Sequence, residues 1–331
     1  MLRIQFLTFF VYILAFLAAG CKDNAGHQYK EPAENEIEKI GVEDCEKCII
    51  LSEQSEPQVA IADVAGQNII WSWEPGNSNV KNEHLDWFNN ISDAKLVYDG
   101  KYIITCASGG GVALIRIEDK KTLFYAFAGG NTHSIEILPD GNLVSASSTG
   151  DHLTVFKVDT LQFPENVYSK KIPIEFGHNV VWDRVNQLLW SAAGNDLISF
   201  EYNFNCEAPD LILSERWSFS GNDAHDLFPV FEENALWLTN TTHIFKFDVV
   251  SRVFTLAEAS IHEHIKSVSS GPNGFPTIII KPKESWWTDE VLDFDGKSVF
   301  YENGLKIYKA RWLVKNNFSY PENDRIKFCG E

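Results

Sequence analysis

The sequence is poor in positive charge and nearly devoid of helical periodicity. Its 28 Lys and Arg stand against 46 Asp and Glu, a formal net charge of −18 over 331 residues. A nucleic-acid partner needs clustered cations to displace phosphate counterions, and no such cluster occurs, so nucleic acid is excluded as a ligand. The same deficit removes any electrostatic pull toward an anionic membrane surface. Neither a GxSxG elbow nor an HExxH pair is present, which leaves serine-hydrolase and zincin chemistry without support. Between residues 48 and 315 apolar side chains almost never recur at helical spacing.

One long apolar run does occur, in residues 1–20, MLRIQFLTFFVYILAFLAAG. It has the layout of a secretory signal ending in small residues. Leu17-Ala18-Ala19-Gly20-Cys21 resembles the bacterial lipobox, which implies that Cys21 is acylated and becomes the new N-terminus. Two or three acyl chains give stable anchoring. Lys22-Asp23 resembles the surface-export signal of Bacteroidota lipoproteins, and outer-membrane placement, periplasmic or surface-facing, is expected. Residues 21–44 are polar and acidic, the composition of a flexible tether, and residues 45–331 are expected to form one domain.

Five further cysteines remain: Cys45, Cys48, Cys106, Cys206 and Cys329. An exported compartment permits disulfides, and an odd count leaves at least one thiol free or buried. Cys45-Glu46-Lys47-Cys48 has no second CxxC beside it, so one stapled and one packed cysteine is expected there. A Cys45–Cys329 pair would tie the two chain ends together.

The chain is built on a repeat. His133, His178, His225 and Lys266 open similar segments at intervals of 45, 47 and 41 residues. Such a period belongs to propeller blades or helical solenoids, and the content here is short strands rich in Val, Ile, Phe, Trp and Thr between Gly, Asn and Asp turns. The strands group in fours from Asp93, His133, His178, His225 and Lys266. Three strands precede these units (48–54, 58–64 and 68–75), and one orphan strand follows them (309–316). Three plus one completes a sixth unit. The expected fold is an all-β, six-bladed β-propeller closed by the C-terminal strand entering the first blade, which removes exposed edges. Trp71, Trp73, Trp182, Trp190, Trp217 and Trp237 are expected to lie mostly in the core between blades. A monomer is expected.

The segments GGNTHSIEILPDGNLVSASS, GHNVVWD, AHDLFPV and ESWWTDEV resemble a family of six-bladed propeller lipoproteins common in Bacteroidota, for which no activity is assigned. Histidines on inner strands are also distantly similar in position to those of propeller polysaccharide lyases such as oligogalacturonate lyase. That similarity implies that they hold a divalent metal.

The first residue of each inner strand should lie near the axis. In this alignment those residues are Asp93, His133, His178, His225, Lys266 and Lys309, with Lys95, Glu136 and Arg311 one pleat further along. His133, His178 and His225 form a ligand set suited to Zn²⁺, Mn²⁺ or Fe²⁺. Lys266, Lys309, Arg311, Asp93 and Lys95 are the expected lining of a funnel for an anionic small molecule or glycan fragment. Three functions follow: a non-catalytic binding or scaffold lipoprotein, a metal-dependent polysaccharide lyase or hydrolase, or a scaffold using the propeller rim for protein partners. Lyase chemistry would need a Tyr or water as acid, and the repeat places no tyrosine. The architectural alternative is that the histidines are satisfied by scaffold groups, Ser147 and Asp151 serving His133. Trp286-Trp287 could stack on a sugar ring, His262-Glu263-His264 reads as a solvated loop, and Ser108-Gly109-Gly110-Gly111 reads as a turn.

Overall fold

The computed structural model describes residues 42–318 and 325–329. The segments expected to be a signal sequence, an acylated Cys21 and nearly all of a tether lie outside the described residues. Twenty-four strands form six four-stranded antiparallel sheets, the blades of a propeller. Blade 1 takes its inner strand, Ile307–Trp312, from the far end of the chain and pairs it with Cys48–Glu53. The inner strands of blades 2 to 6 are Ile91–Val97, Thr132–Ile137, Val181–Asp183, Asp226–Pro229 and Ser267–Ser269. Each inner strand touches the next, and Ile307–Trp312 touches both Ser267–Ser269 and Ile91–Val97, so the ring closes on itself.

Alternation of side chains along each strand sends apolar residues to both blade faces, and neighbouring blades bury them against each other. Each of the six interfaces therefore carries its own apolar cluster. Val59, Ile61, Trp71 and Trp73 of blade 1 meet Ile103, Ala113 and Tyr125 of blade 2. Ile49, Leu51 and Trp312 of blade 1 meet Ile278, Ile280, Val291 and Phe300 of blade 6. The tryptophans that fill these interfaces also satisfy their indole N–H groups. Trp71 donates to the Ile117 carbonyl at 3.0 Å, Trp312 to the Pro276 carbonyl at 2.9 Å and Trp237 to Ser270 Oγ at 3.1 Å. Outermost strands such as Ser169–Pro173 and Leu211–Ser218 are largely exposed.

The cysteine pairing differs from the expected one. Cys45 bonds to Cys48, and Cys206 bonds to Cys329, so neither a Cys45–Cys329 tie nor a stapled-and-packed CxxC pair exists. The reason is the path of the chain after Trp312. It runs on beneath blades 2, 3 and 4: Lys327 N–H reaches Tyr98 Oη at 3.3 Å, and Lys327 Nζ reaches the Pro139 carbonyl at 2.8 Å. This course brings Cys329 to the blade 4 loop that carries Cys206. Gly141 permits the crossing, because a Cβ there would sit 2.3 Å from the Lys327 carbonyl oxygen, and its φ of +87° also favours glycine. Cys106 stays as a buried free thiol, pushed up to about 12 by burial and then by Asp93.

The Cys206–Cys329 bond closes a loop of 123 residues in sequence, whereas Cys45 and Cys48 are only three apart. Constraint of the unfolded chain grows with loop length, so the long bond contributes about 2–4 kcal/mol and the short one much less. Reduction should lower the melting temperature by several degrees, and a Cys206→Ser variant should reproduce that loss without reductant. Equal melting of the oxidised and reduced protein in calorimetry would contradict this.

Candidate functional site

The inner strands of blades 1, 2 and 3 begin in β-bulges, and backbone bonds give a similar two-against-one step at the start of the other three. Two consecutive residues there oppose one residue of the second strand, which breaks the simple in–out alternation and re-aims side chains toward the axis. Ser92, His133 and Tyr308 are the extra residues in blades 2, 3 and 1. In blade 4 the N–H groups of His178 and Asn179 both reach the Ala192 carbonyl, at 2.8 and 3.3 Å. His225 donates to the Thr239 carbonyl while Asp226 pairs with Thr239, and Lys266 donates to Ile280 while Ser267 pairs with it.

The mouth row is therefore Ser92, His133, His178, His225, Lys266 and Tyr308. The second row is Asp93, Ser134, Asn179, Asp226, Ser267 and Lys309. This corrects the alignment read from the sequence, in which Asp93 and Lys309 stood level with the histidines. They lie one row deeper, and the repeat does place a tyrosine, Tyr308, at the mouth.

Beneath the mouth lies a buried ionic cluster. Asp93, Glu136 and Asp226 supply three negative charges, and Lys95, Lys309 and Arg311 three positive ones, all at 2% exposure or less. Arg311 grips Asp226 through two bonds of 2.5 and 2.6 Å, and its Nη2 lies 3.6 Å from Asp93. Lys309 Nζ is 3.3 Å from Asp226 and donates to the His133 carbonyl at 3.2 Å. Lys95 Nζ is 3.2 Å from Glu136 and donates to the Val180 carbonyl at 2.7 Å. The Arg311 guanidinium also lies over the Phe228 ring, 4.1 Å from its centroid. Burial alone would raise the Asp93 carboxyl, but Lys309, Lys95 and Arg311 outweigh it and hold it down to about 2. Asp226 is likewise held below the usual carboxylate range, its burial outweighed by Arg311 and Lys309. The formal charges cancel within the cluster, so Asp93, Lys95, Lys309 and Arg311, expected to line a ligand funnel, spend their charge on one another. Asp226 is the member that sequence reading missed. The signal was its place directly after His225, in the same step as Asp93 after Ser92.

The mouth row is different in character. His133 Nε2 lies 2.9 Å from Asn131 Oδ1, and its Nδ1 lies 2.9 Å from Tyr308 Oη. Asn131 donates its amide to Ser148 Oγ at 2.9 Å, which leaves Oδ1 as an acceptor. His133 therefore carries its proton on Nε2 and accepts the Tyr308 hydroxyl on Nδ1. Ser147 instead pairs with Thr132, so the architectural partners expected for His133 are replaced by Asn131 and Tyr308.

His178 sits between its neighbours, with ring centroids 4.4 Å from His133 and 5.8 Å from His225. It is 5% exposed, and neither ring nitrogen has a partner. His225 Nδ1 is also buried and unpartnered, while its Nε2 lies 3.3 Å from Lys266 Nζ. No carboxylate pairs with Lys266 among the described residues. Burial, and then the Lys309 charge, push the Lys266 ammonium down to about 8. Burial and the two lysines push His133 and His225 down to about 3. Burial, and then His133, hold His178 well below its ordinary value. At neutral pH the mouth presents uncharged imidazoles around one amine.

The metal donor set expected from the sequence has less to offer than its residue types suggest. His133 has both nitrogens engaged, and Lys266 and Lys309 put positive charge beside any cation. Among the described residues, the one trio of His, Cys or acidic donors gathered within 4.8 Å is Cys206, Glu207 and Cys329, whose sulfurs are joined in the disulfide. His262, Glu263 and His264 are exposed on a loop, and residues 108–111 form a turn between two strands. Trp286 is 47% exposed and edge-on to Trp287, with its Nε1 donating to Gln54 Oε1 at 3.0 Å.

These features define a six-bladed β-propeller whose axial mouth of histidine, lysine and tyrosine stands over a neutralised buried ionic cluster. The chain belongs to DUF6528, a family of unknown function, whose model matches residues 2–329. Its structure is similar to the crystal structure of a protein of unknown function from Bacteroides caccae, with a TM-score of 0.55 and 13% identity. The match covers 81% of this chain and 99% of that one. At that identity the likeness concerns the fold. A search of curated proteins finds no match.

Proposed function

We propose that the protein binds a small carboxylate-bearing anion or an acidic glycan fragment at the axial mouth, as a lipid-anchored protein of the bacterial outer membrane. The observation that carries the binding reading is the pairing of unmet donors with an unneutralised cation. Among the described residues His178 is buried with two idle ring nitrogens, His225 has one, and Lys266 stands beside them with no ion pair, its nearest opposing charge being the more distant Asp223. A buried polar group without a partner costs roughly 1–3 kcal/mol, so a ligand or water that meets it is favoured. A carboxylate accepts from the Lys266 ammonium and from imidazole N–H donors together, where a cation would meet two lysines. The anchor rests on the lipobox at Leu17–Cys21 and the tether after it.

Lys266→Met removes the charge and keeps the stem. It should weaken binding of acetate, lactate or galacturonate by about tenfold or more, since hydrogen bonds to charged groups are worth roughly 1.5–3 kcal/mol. Calorimetric titration of parent and variant reads this directly. Equal affinities, or no binding of any acid by the parent, would remove the reading and leave a scaffold role for the rim.

One observation favours a second reading. The Tyr308 hydroxyl, held at 2.9 Å on His133, is the proton carrier that abstraction beside a uronate carboxyl would require. Growth of ultraviolet absorbance from unsaturated uronate on incubation with polyuronates, lost in Tyr308→Phe, would make that the leading function.

A further inference from the structure

Lys266 is set apart by its neighbour, an imidazole, where Lys47, Lys281 and Lys327 meet backbone carbonyls and most others meet carboxylates. Lys309 and Lys95 are buried on carboxylates, and Lys81, Lys157, Lys170, Lys246, Lys283 and Lys315 lie on the surface against Asp or Glu. Lys266 is half-buried at the mouth, and its Nζ faces a neutral imidazole nitrogen at 3.3 Å. An amine so placed has no ion pair among the described residues to hold it charged, and only the more distant Asp223 opposes its deprotonation.

We propose that Lys266 captures a 2-oxo acid as a reversible imine, the keto carbon on its Nζ and the carboxylate among the mouth imidazoles. The proposal rests on the anion-binding reading given above. The ammonium loses one proton to solvent, and the freed lone pair attacks the carbonyl carbon. The C–O π bond breaks and its oxygen takes up a proton from the attacking nitrogen, giving a carbinolamine. Nitrogen then expels that oxygen as water, with a proton from solvent completing the leaving group, and a C=N bond forms. One water is released per imine, and no oxidant or reductant takes part. The two buried lysines beneath the mouth do not share this role, because Lys309 and Lys95 are already committed to Asp226 and Glu136.

The probe is pyruvate, with borohydride added to reduce any imine to a stable secondary amine, followed by digestion and mass spectrometry of the purified protein. Lys266 should be labelled at least about tenfold faster than surface lysines, as expected for a half-buried amine with no ion pair. Lactate has the carboxylate but no carbonyl and should compete. Lys266→Arg should lose the adduct. Labelling of Lys266 no faster than of surface lysines overturns the proposal, and the experiment needs only the parent protein. If lactate still binds in that case, the imine fails and the anion site stands. If lactate does not bind either, both fail.

Discussion

Asp226→Ala should be the most damaging single substitution in this protein that removes no apolar packing, at about 3–5 kcal/mol of stability. Asp226 accepts both Arg311 bonds, a backbone bond from Val268 N–H at 3.0 Å, and the charge of Lys309 at 3.3 Å. Its removal leaves two cations at 1–2% exposure with only Asp93 and carbonyls to face. Breaking a buried pair leaves one charge uncompensated, which is worse than removing both partners. Accordingly, Arg311→Met added to Asp226→Ala should recover part of the loss. Denaturant titration of the single and double variants measures this. A single-variant loss below about 1 kcal/mol would mean that the cluster is hydrated or reorganises freely.

Mild acid should unfold the protein, and the histidines rather than the carboxylates should lead. His133 and His225 are held down to about 3, and His178 is also depressed, against ordinary values near 6.5. Between those limits the unfolded chain binds three protons that the folded chain does not. Stability therefore falls with falling pH, by about 4 kcal/mol per unit for three such groups. Two units of that slope match the whole stability of an ordinary domain, roughly 5–15 kcal/mol, so collapse is expected near pH 4–5. Asp93 adds a later loss, since a carboxyl held down to about 2 stabilises the fold above its ordinary value and stops doing so as pH falls through 2. On the alkaline side the sign is the same, and stability again rises with pH. The Lys266 ammonium destabilises the fold below about 8, and this is relieved between 8 and 10.5. Melting curves from pH 7.5 to 4.5 test the acid limb, and His178→Phe should flatten it by about a third. An unchanged melting temperature down to pH 5 would show that the imidazoles are protonated in the folded protein.

The blade count was legible because each unit announces its strands by β-branched and aromatic runs, and because the remainder, three strands plus one, has a single sensible use. The axial chemistry was legible only in part. Period-two reasoning places one inward residue per step, but the bulges turn two consecutive residues toward the axis. Ser92 and Tyr308, lacking the basic side chains of their counterparts, did not announce their places. Asp93 and Lys309 took those places in the alignment, and Asp226 was passed over as an ordinary strand residue. Charge compensation is a property of pairs that meet only in space: Lys95 with Glu136, or Arg311 with Asp226, lie 41 and 85 residues apart. The cysteine pairing failed for the same reason, since it depends on how the chain travels after Trp312.

The mixed composition of blade 1 also bears on how the molecule is made. Cys48–Glu53 emerges from a ribosome or a translocation pore more than 250 residues ahead of the strand that must pair with it. Until then it shows one bare edge, and blade 2 has no finished neighbour on that side. Closing so long a loop late makes the last step slow and all-or-none, and a chain halted before Ile307 is left with an open seam suited to joining another such chain. Completion of the ring therefore turns on the strand Ile307–Trp312, and chains that lose it should form oligomers in place of closed monomers.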